Sequence, residues 1–349
     1  MESIAFIWGR YMVYWSTAIV TMACGVGMLL FLFLYLWDEE DYLGGFWALP
    51  LSLGLGMLGA RLAHWYFRRD AYESLAAALT DYSVGGFLLA GAFAGVFLAA
   101  LILAALRRGR HLGAMLDAMS MAGAGAIALG RLSCLTNSSD RGAILPEGSF
   151  WGGKVLSVST GAVEYRFNTF AIQAVLAGVI LAVLLVVYFL RRREYHRRPG
   201  DLFWLFCLYY GGTQAVLDST RIDSTYFLSN GFVSVTQVLG LAAVVAALVC
   251  FTVRYLKTGG WKPGAASLWV VSLLFLGGAG YMEYYVQRHG SQAAFAYSVM
   301  AICMGLVLVL GTILWSVTRT REIPRSRPTV YESRPTSSMA FCTTVSPTS

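Results

Sequence analysis

Apolar residues along this chain run in long blocks rather than alternating with polar ones, and the blocks fall near 11–36, 44–66, 84–106, 113–131, 167–190, 201–218, 232–254, 267–287 and 295–318. A helix needs about 20 such residues to cross a hydrocarbon core of about 30 Å, so the pattern predicts nine membrane-spanning helices. The sixth block breaks its apolarity in one direction only, at Tyr210, Gln214 and Asp218, and Arg221 follows. At about 100° per residue these four fall within an arc of about 80°, which makes one helix face polar. Ionisable groups at membrane depth cost about 2.5–3.5 kcal/mol each on insertion scales, so the stripe points to a site inside a helix bundle.

Between the fourth and fifth blocks lies the longest connection, 132–166, in which an alternating stretch from Lys154 to Phe167 predicts a small β-hairpin. Glycines at 85, 86, 91 and 95 in the third block, and at 123, 125 and 130 in the fourth, predict close helix packing. Composition agrees with the blocks: 57% hydrophobic residues, 13% charged and a mean hydropathy of +0.62 exclude an ordinary soluble domain. The fold class is an all-α polytopic membrane protein of about nine transmembrane helices with a small external loop and hairpin. From 319 to 349 the chain turns to Pro, Ser, Thr and Arg, a composition that predicts a disordered tail.

Basic residues set the orientation. With the amino terminus outside, the inner segments hold Arg107, Arg108 and Arg110, five arginines in 191–198, Arg254, Lys257 and Lys262, and five arginines in 319–334, sixteen of the 26 Lys and Arg. The carboxyl terminus and its tail are then cytoplasmic. Acidic residues at 38–41 sit on the inner side as well, but acids count little in this rule. The net charge of +7 is therefore a matter of topology and headgroup contact, and nucleic acid is not implied. No basic leader precedes the first block, which reads as a retained helix rather than a cleaved signal.

Cysteines 24, 207, 250 and 303 lie in the blocks, Cys134 just after one, and Cys342 in the tail. None has ligand spacing, so they read as small buried hydrophobes or free thiols, and no metal site or cofactor is expected. Among the histidines, His111 and His196 accompany inner arginines, His289 lies in an outer loop, and only His64, after Arg61, carries a functional expectation. No glycine-rich phosphate loop and no Ser-His-Asp order stands out.

Three polar groups share the predicted outer level: Arg131; Arg166 with Thr169 and Gln173; and Gln214, Asp218 and Arg221. Arginine offers planar, permanently charged donors suited to phosphate, so together these residues are expected to line a cavity for a phospholipid headgroup. Asp117 lies 14 residues before Arg131, about 21 Å along a helix, and reads as an inner-leaflet residue paired with a local arginine. Glu283 gets the same reading.

At this point the chain resembles the bacterial prolipoprotein diacylglyceryl transferases. Their signature G-R-x-G-[N or C]-x4-[E or C]-x2-G is similar to Gly130-Arg131-Leu132-Ser133-Cys134 ending at Gly142, and their upstream aspartate looks like Asp117. A following arginine segment resembles Arg166-Phe167-Asn168-Thr169, continuing to Gln173, and a G-[ED]-x-F opening resembles Gly200-Asp201-Leu202-Phe203. The family's Y-G-x2-R-x3-E-x2-R helix is similar to Tyr210-Gly211-Gly212-Thr213-Gln214 followed by Asp218 and Arg221, and its Q-[LV]-x-S stretch to Gln237-Val238-Leu239-Gly240. The departures are Ala90, where the family's third-span motif H-G-G-x-x-G has its histidine, Gln214 in place of its second arginine, and Ser139 in place of the signature's Glu or Cys.

The resemblance covers about residues 10–256 and implies three parts: a transferase-like membrane domain of seven helices over 1–256 with its external loop at 132–166, two additional helices over 257–318, and the tail. It implies a multi-pass enzyme of the bacterial inner membrane that moves the diacylglyceryl group of phosphatidylglycerol, or another anionic phospholipid, to the lipobox cysteine in the signal peptide of an exported prolipoprotein. On this reading Arg131, Tyr210 and Asp218 act in catalysis. Arg131, Arg166, Gln214 and Arg221 hold the lipid phosphate, with Cys134, Ser139, Gly142, Gln173 and Gln237 around them. Asp140 and His64 are the candidates for a thiol-activating base. The substitutions leave open a lipid- or lipoprotein-binding paralog without activity, or a transferase with a changed acceptor. A transporter would need a polar path to both faces, whereas the polar stripes lie on the outer half.

Overall fold

The computed structural model describes residues 4–9, 11–39, 41–80, 86–107, 111–156, 161–192, 198–227, 233–289 and 292–322. A short antiparallel hairpin of β1 (Ile4–Trp8) and β2 (Tyr11–Tyr14) precedes α1 (Trp15–Asp38) and α2 (Tyr42–Phe67). After a 3₁₀ turn at Arg69–Ala71 come α3 (Leu75–Thr80), α4 (Leu89–Leu106) and α5 (Leu112–Gly130), the last continuing into a 3₁₀ segment at Arg131–Leu135. Strands β3 (Gly152–Leu156) and β4 (Val163–Phe167) pair antiparallel and lead into α6 (Thr169–Arg192). Next come α7 (Asp201–Leu217), a 3₁₀ turn at Asp218–Thr220, α8 (Val235–Lys257), α9 (Lys262–His289) and α10 (Ala293–Glu322).

Among the described residues eight helices are long and apolar enough to cross a membrane, and the chain is an all-α polytopic membrane protein. The sixth block became α7, 17 residues long, and its position explains why that length suffices. It packs against α5, α6, α8 and α10, so neighbouring helices rather than lipid surround it. Leu205, Leu208 and Val216 are buried with Tyr210, Gln214 and Asp218, so its polar stripe faces protein. Helix α5 is the other central element, touching α1, α4, α6 and α7 and burying Met121 and Ala124 completely.

The chain departs from the sequence expectation at several places. The first helix starts at Trp15 rather than 11, because residues 4–8 and 11–14 are extended strands, with Gly9 after the first at a φ of +62° that suits a residue without Cβ. An apolar block has no feature that marks where strand gives way to helix, so the boundary was not legible. The helix of the third block, α4, starts at Leu89 rather than 84, and α3 with its preceding turn was not anticipated. Helix α10 continues to Glu322, past the expected start of the tail; residues 323–349, Cys342 among them, lie outside the described residues. The hairpin expected between Lys154 and Phe167 is present as β3 and β4, with Gly152 opposite Phe167 and Leu156 opposite Val163.

Glycine packing separates into two cases. Gly91 and Gly95 of α4 lie against Gly59 and Leu55 of α2, where an added Cβ would overlap backbone carbonyls. Gly211 of α7 and Gly240 of α8 face each other in the same way, each leaving room for the other's carbonyl at 2.6 Å from where a Cβ would stand. Gly123 of α5, by contrast, has nothing within 4 Å, so no helix crossing depends on it. Gly85 lies outside the described residues.

At the end of the bundle opposite β3 and β4, carboxylates tie helices together. Asp117 of α5 accepts from the N–H of Gly200 at 2.8 Å and of Phe203 at 2.9 Å, the unpaired donors at the start of α7. Asp201 pairs with Arg254 of α8, Asp41 with Arg107 at the end of α4, and Glu39 with His111 at 2.6 Å. The acidic stretch between α1 and α2 thus meets basic residues of the α4–α5 connection at the same end.

Gly95→Leu is expected to force α2 and α4 apart and to destabilise the protein by about 1–3 kcal/mol or more, as overpacking does. Gly123→Ala should be tolerated; the check is thermal unfolding in detergent, and equal melting temperatures for the two variants would contradict the packing described.

Candidate active site

Three chain segments meet at the hairpin end of the bundle. The 3₁₀ segment after α5 carries Arg131 and Cys134, the following loop carries Asp140 and Arg141, and the turn after α7 carries Asp218 and Arg221. The loop is stitched on both sides by backbone hydrogen bonds. Gly142 donates to Phe167 O at 2.8 Å, Phe167 to Ala143 O at 3.0 Å and Leu145 to Tyr165 O at 2.7 Å, so residues 142–145 run beside β4. On the other side Ile222 donates to Arg141 O at 3.2 Å, and Gly142 bridges Arg221. Asp140 sits between these attachments at φ +56°, a left-handed conformation that Asp tolerates better than most side chains.

That conformation directs the Asp140 carboxylate at two guanidinium groups. One oxygen pairs with Arg131 and the other with Arg221. Arg221 also reaches Asp218 and Asp223, both at 3.1 Å, and Asp223 accepts from the Asp140 N–H at 2.9 Å. The Asp218 carboxylate is 1% exposed and accepts from the Ser234 hydroxyl. Burial works against ionisation of Asp140, but the fields of Arg131 and Arg221 outweigh it and hold its carboxyl below the usual carboxylate range. Burial likewise disfavours the Arg221 cation, and Asp140, Asp223 and Asp218 more than compensate, so its proton is held more firmly than usual.

Around this cluster the Cys134 thiol points to Asp140 at 3.4 Å, and the buried Tyr210 hydroxyl faces Arg131. Phe93 of α4 and Phe206 pack on the Tyr210 ring at 5.5 and 5.1 Å. Deeper in the bundle Gln173 donates to Gln214 at 3.2 Å, and Thr169 lies 3.1 Å from Thr220, which joins α6 to α7.

Of the residues singled out in the sequence, Arg131, Cys134, Tyr210, Asp218 and Arg221 come together here, and Gln173 with Gln214 forms a second pair nearby. Arg166 does not join the ion pairs of the cluster: it lies on β4 and is held by Glu164 at 2.6 Å. Ser139 is exposed and its N–H bonds Asn137 at 3.0 Å, and among the described residues its side chain makes no hydrogen bond in the cluster; the carboxylate stands one residue on, at Asp140. Gln237 is held locally. With Ser234 it forms a capping box at the start of α8, the Ser234 hydroxyl accepting at 3.1 Å and the Gln237 carbonyl at 2.9 Å. The S-x-x-Q spacing at Ser234 was a readable signal for that box. His64, in the last turn of α2, is bonded to Tyr72 of the segment joining α2 to α4 at 2.8 Å.

Sequence reasoning passed over Arg141. Its guanidinium lies 4.5 Å over the Phe170 ring, bonds Asn168, and donates to Cys134 O at 3.2 Å, which fixes the loop from inside. Its partners are a ring, an amide and a carbonyl, none of which forms a recognisable spacing. Glu283, expected to pair with an arginine, instead accepts from Gln287 at 2.7 Å. An apolar groove of about 290 Å³ runs between the α1–α5 and α2–α4 pairs, lined by Gly27, Phe31, Gly56, Val96 and Ala122 among others. The five described cysteines are free thiols, with Cys24 exposed and Cys134 buried.

The sequence profile of the prolipoprotein diacylglyceryl transferases matches residues 3–253. A phosphatidylglycerol–prolipoprotein diacylglyceryl transferase of Limosilactobacillus reuteri (strain DSM 20016) is 25% identical over 277 residues, covering 75% of this chain and 94% of that protein. The protein of the same name from Lactococcus lactis subsp. lactis (strain IL1403) is 26% identical over 206 residues, covering 58% and 75%.

Asp140→Asn removes the shared counter-charge of two buried guanidinium groups and is expected to cost about 3–5 kcal/mol of stability. Because the carboxyl is held low in the folded protein, its contribution is complete above the unfolded value of about 3.9 and is lost as pH falls through the folded value. Thermal unfolding at pH 7 and in the pH 2–4 range checks both: the gap between wild type and Asp140→Asn should be wide at pH 7 and close in acid.

Proposed function

This chain belongs to the prolipoprotein diacylglyceryl transferase family, and from that premise we propose that it transfers the diacylglyceryl group of phosphatidylglycerol to the lipobox cysteine thiol of an exported prolipoprotein. The observation that carries the reading is the convergence of Arg131 and Arg221 on one carboxylate, with Tyr210 and Asp218 beside them. In the proposed reaction the substrate thiolate sulfur forms a bond to the glyceryl carbon, the carbon–oxygen bond to phosphate breaks, and glycerol phosphate leaves with the electron pair. Arg131 and Arg221 hold the phosphate and stabilise the charge it gains, while Asp218 and Tyr210 orient them. Asp140 serves as the resting counter-ion that the phosphate displaces; its lowered pKa makes it a poor base near neutral pH. The groove between α1–α5 and α2–α4 is wide and apolar enough to take an acyl chain. The membrane in question is the bacterial inner membrane, and the site faces its outer leaflet, with the amino terminus outside.

A second reading, a lipid- or lipoprotein-binding paralog without turnover, is favoured by Gln214. Where the resemblance has an arginine, this side chain is 3% exposed and engaged with Gln173. The two readings separate in cells depleted of their own transferase, with a reporter lipoprotein read by mass. Diacylglyceryl modification is expected for the wild-type chain and is expected to fall by at least about 10²-fold in Arg131→Ala at equal protein level. No modification by a well-inserted wild type, appearing only in Gln214→Arg, would replace the first reading with the second.

A further inference from the structure

Beside Asp218 and Arg221 opens a polar chamber of about 490 Å³, within the size range of small-ligand pockets. Part of its wall comes from α9 and α10, which begin beyond residue 253, where the family match ends. Tyr297 of α10 donates to Ser219 O at 3.1 Å and so ties α10 to the turn that carries Asp218. From α9, Glu283, Gln287 and Arg288 line the chamber. Glu283 Oε1 accepts from Gln287 at 2.7 Å, whereas Oε2 is enclosed and makes no hydrogen bond of normal geometry among the described residues; Gln237 and Ser219 are the polar groups that face the carboxyl. Arg288 is exposed and makes no ion pair among the described residues, which leaves a cation available at the chamber wall.

A buried polar atom without a partner is costly and is usually satisfied by water or a ligand. Glu283 stands in a wall of hydroxyl and amide groups that includes Tyr226, Tyr284 and Gln237. A ligand hydroxyl both donates and accepts, so it can satisfy Glu283 Oε2 whether that carboxyl is ionised or protonated; an ammonium can satisfy only the ionised form. Arg221 sits on the other side of the same space. We propose that α9 completes a pocket for a phosphorylated polyol, with the phosphate toward Arg221 and the hydroxyls bound by Glu283 and Gln287, which thereby select the headgroup. The assignment of the phosphate rests on the donor-lipid reading above; the polyol end rests on α9 alone.

The test is binding to the full chain in detergent by titration calorimetry, using dihexanoyl phosphatidylglycerol, phosphatidic acid and phosphatidylethanolamine, together with free glycerol phosphate and inorganic phosphate. Phosphatidylglycerol is expected to bind about tenfold or more tightly than phosphatidic acid. Glu283→Ala and Gln287→Ala should each erode that preference and leave phosphatidic acid affinity within about twofold. If Glu283→Ala does not fold, the wild-type preference and Gln287→Ala decide. Equal affinity for the glycerol and bare phosphate lipids, a preference for phosphatidylethanolamine, or a preference unmoved in both variants would overturn the proposal. Free glycerol phosphate favoured over inorganic phosphate extends the pocket to the released headgroup; a preference confined to the lipid assigns it to the donor, and both support polyol recognition. A polyol preference without diacylglyceryl transfer would remove the proposed function and leave the pocket standing, and transfer without the preference would do the reverse.

Discussion

Two guanidinium groups at the ends of separate helices meet on one carboxylate, and the geometry of the hairpin end follows from holding that carboxylate in place. Arg131 closes α5 and Arg221 follows α7, ninety residues apart in the chain, and Asp140 pairs with both. Removing each ion from water costs several kcal/mol, so the cluster is poor evidence for net stability and much better evidence for orientation. The surrounding bonds serve that orientation. Backbone pairing to β4 and to Ile222 fixes the loop, the positive φ at Asp140 turns its side chain inward, and Arg141 ties the loop from beneath through Cys134 O. The small hairpin is thus a brace for the charge cluster, although it contributes none of the cluster's ion pairs.

The same device operates at the far end of α7. Asp117 reaches across from α5 to take the free N–H groups of Gly200 and Phe203, and Asp201 pairs with Arg254 of α8. A helix of 17 residues is held at its start by a foreign carboxylate, and the turn after it by the Asp218–Ser234 bond. Close contact of Gly211 with Gly240 sets its distance from α8. Axial position, tilt and distance are then all constrained, and with them the depth at which Tyr210, Gln214 and Asp218 stand.

How much of this was legible in the chain depended on the range of the interaction. Long apolar blocks gave the helices, because burial in lipid is a local property of about 20 residues. The stripe on α7 gave a polar interior, since Tyr210 and Gln214 need only the periodicity of one helix; the helix ends at Leu217, so Asp218 and Arg221 belong to the turn after it rather than to the same regular face. Asp140 was different. It was noticed only as a candidate base, and its role as a shared counter-ion depends on Arg131 and Arg221 meeting in space, which no spacing encodes. Gln237 was singled out as a site residue, and the capping box that holds it explains its geometry without a ligand. Arg166 looked equivalent to Arg131 in sequence and was separated from it by one local partner, Glu164.

On the proposed reading, the resting cluster is also a charge template for the reaction. A phosphodiester carries one negative charge, as does Asp140, so lipid phosphate can replace the carboxylate between Arg131 and Arg221 without leaving either guanidinium uncompensated. When the carbon–oxygen bond breaks, the departing monoester gains a second ionisable oxygen, with a second pKa of about 6. The two arginines therefore interact more strongly with the leaving group than with the bound diester, and that difference, rather than tight substrate binding, is what lowers a barrier. Displaced from its partners, Asp140 loses the field that keeps its carboxyl ionised and becomes a better proton acceptor than it is at rest, at the stage when a substrate thiol has a proton to give up.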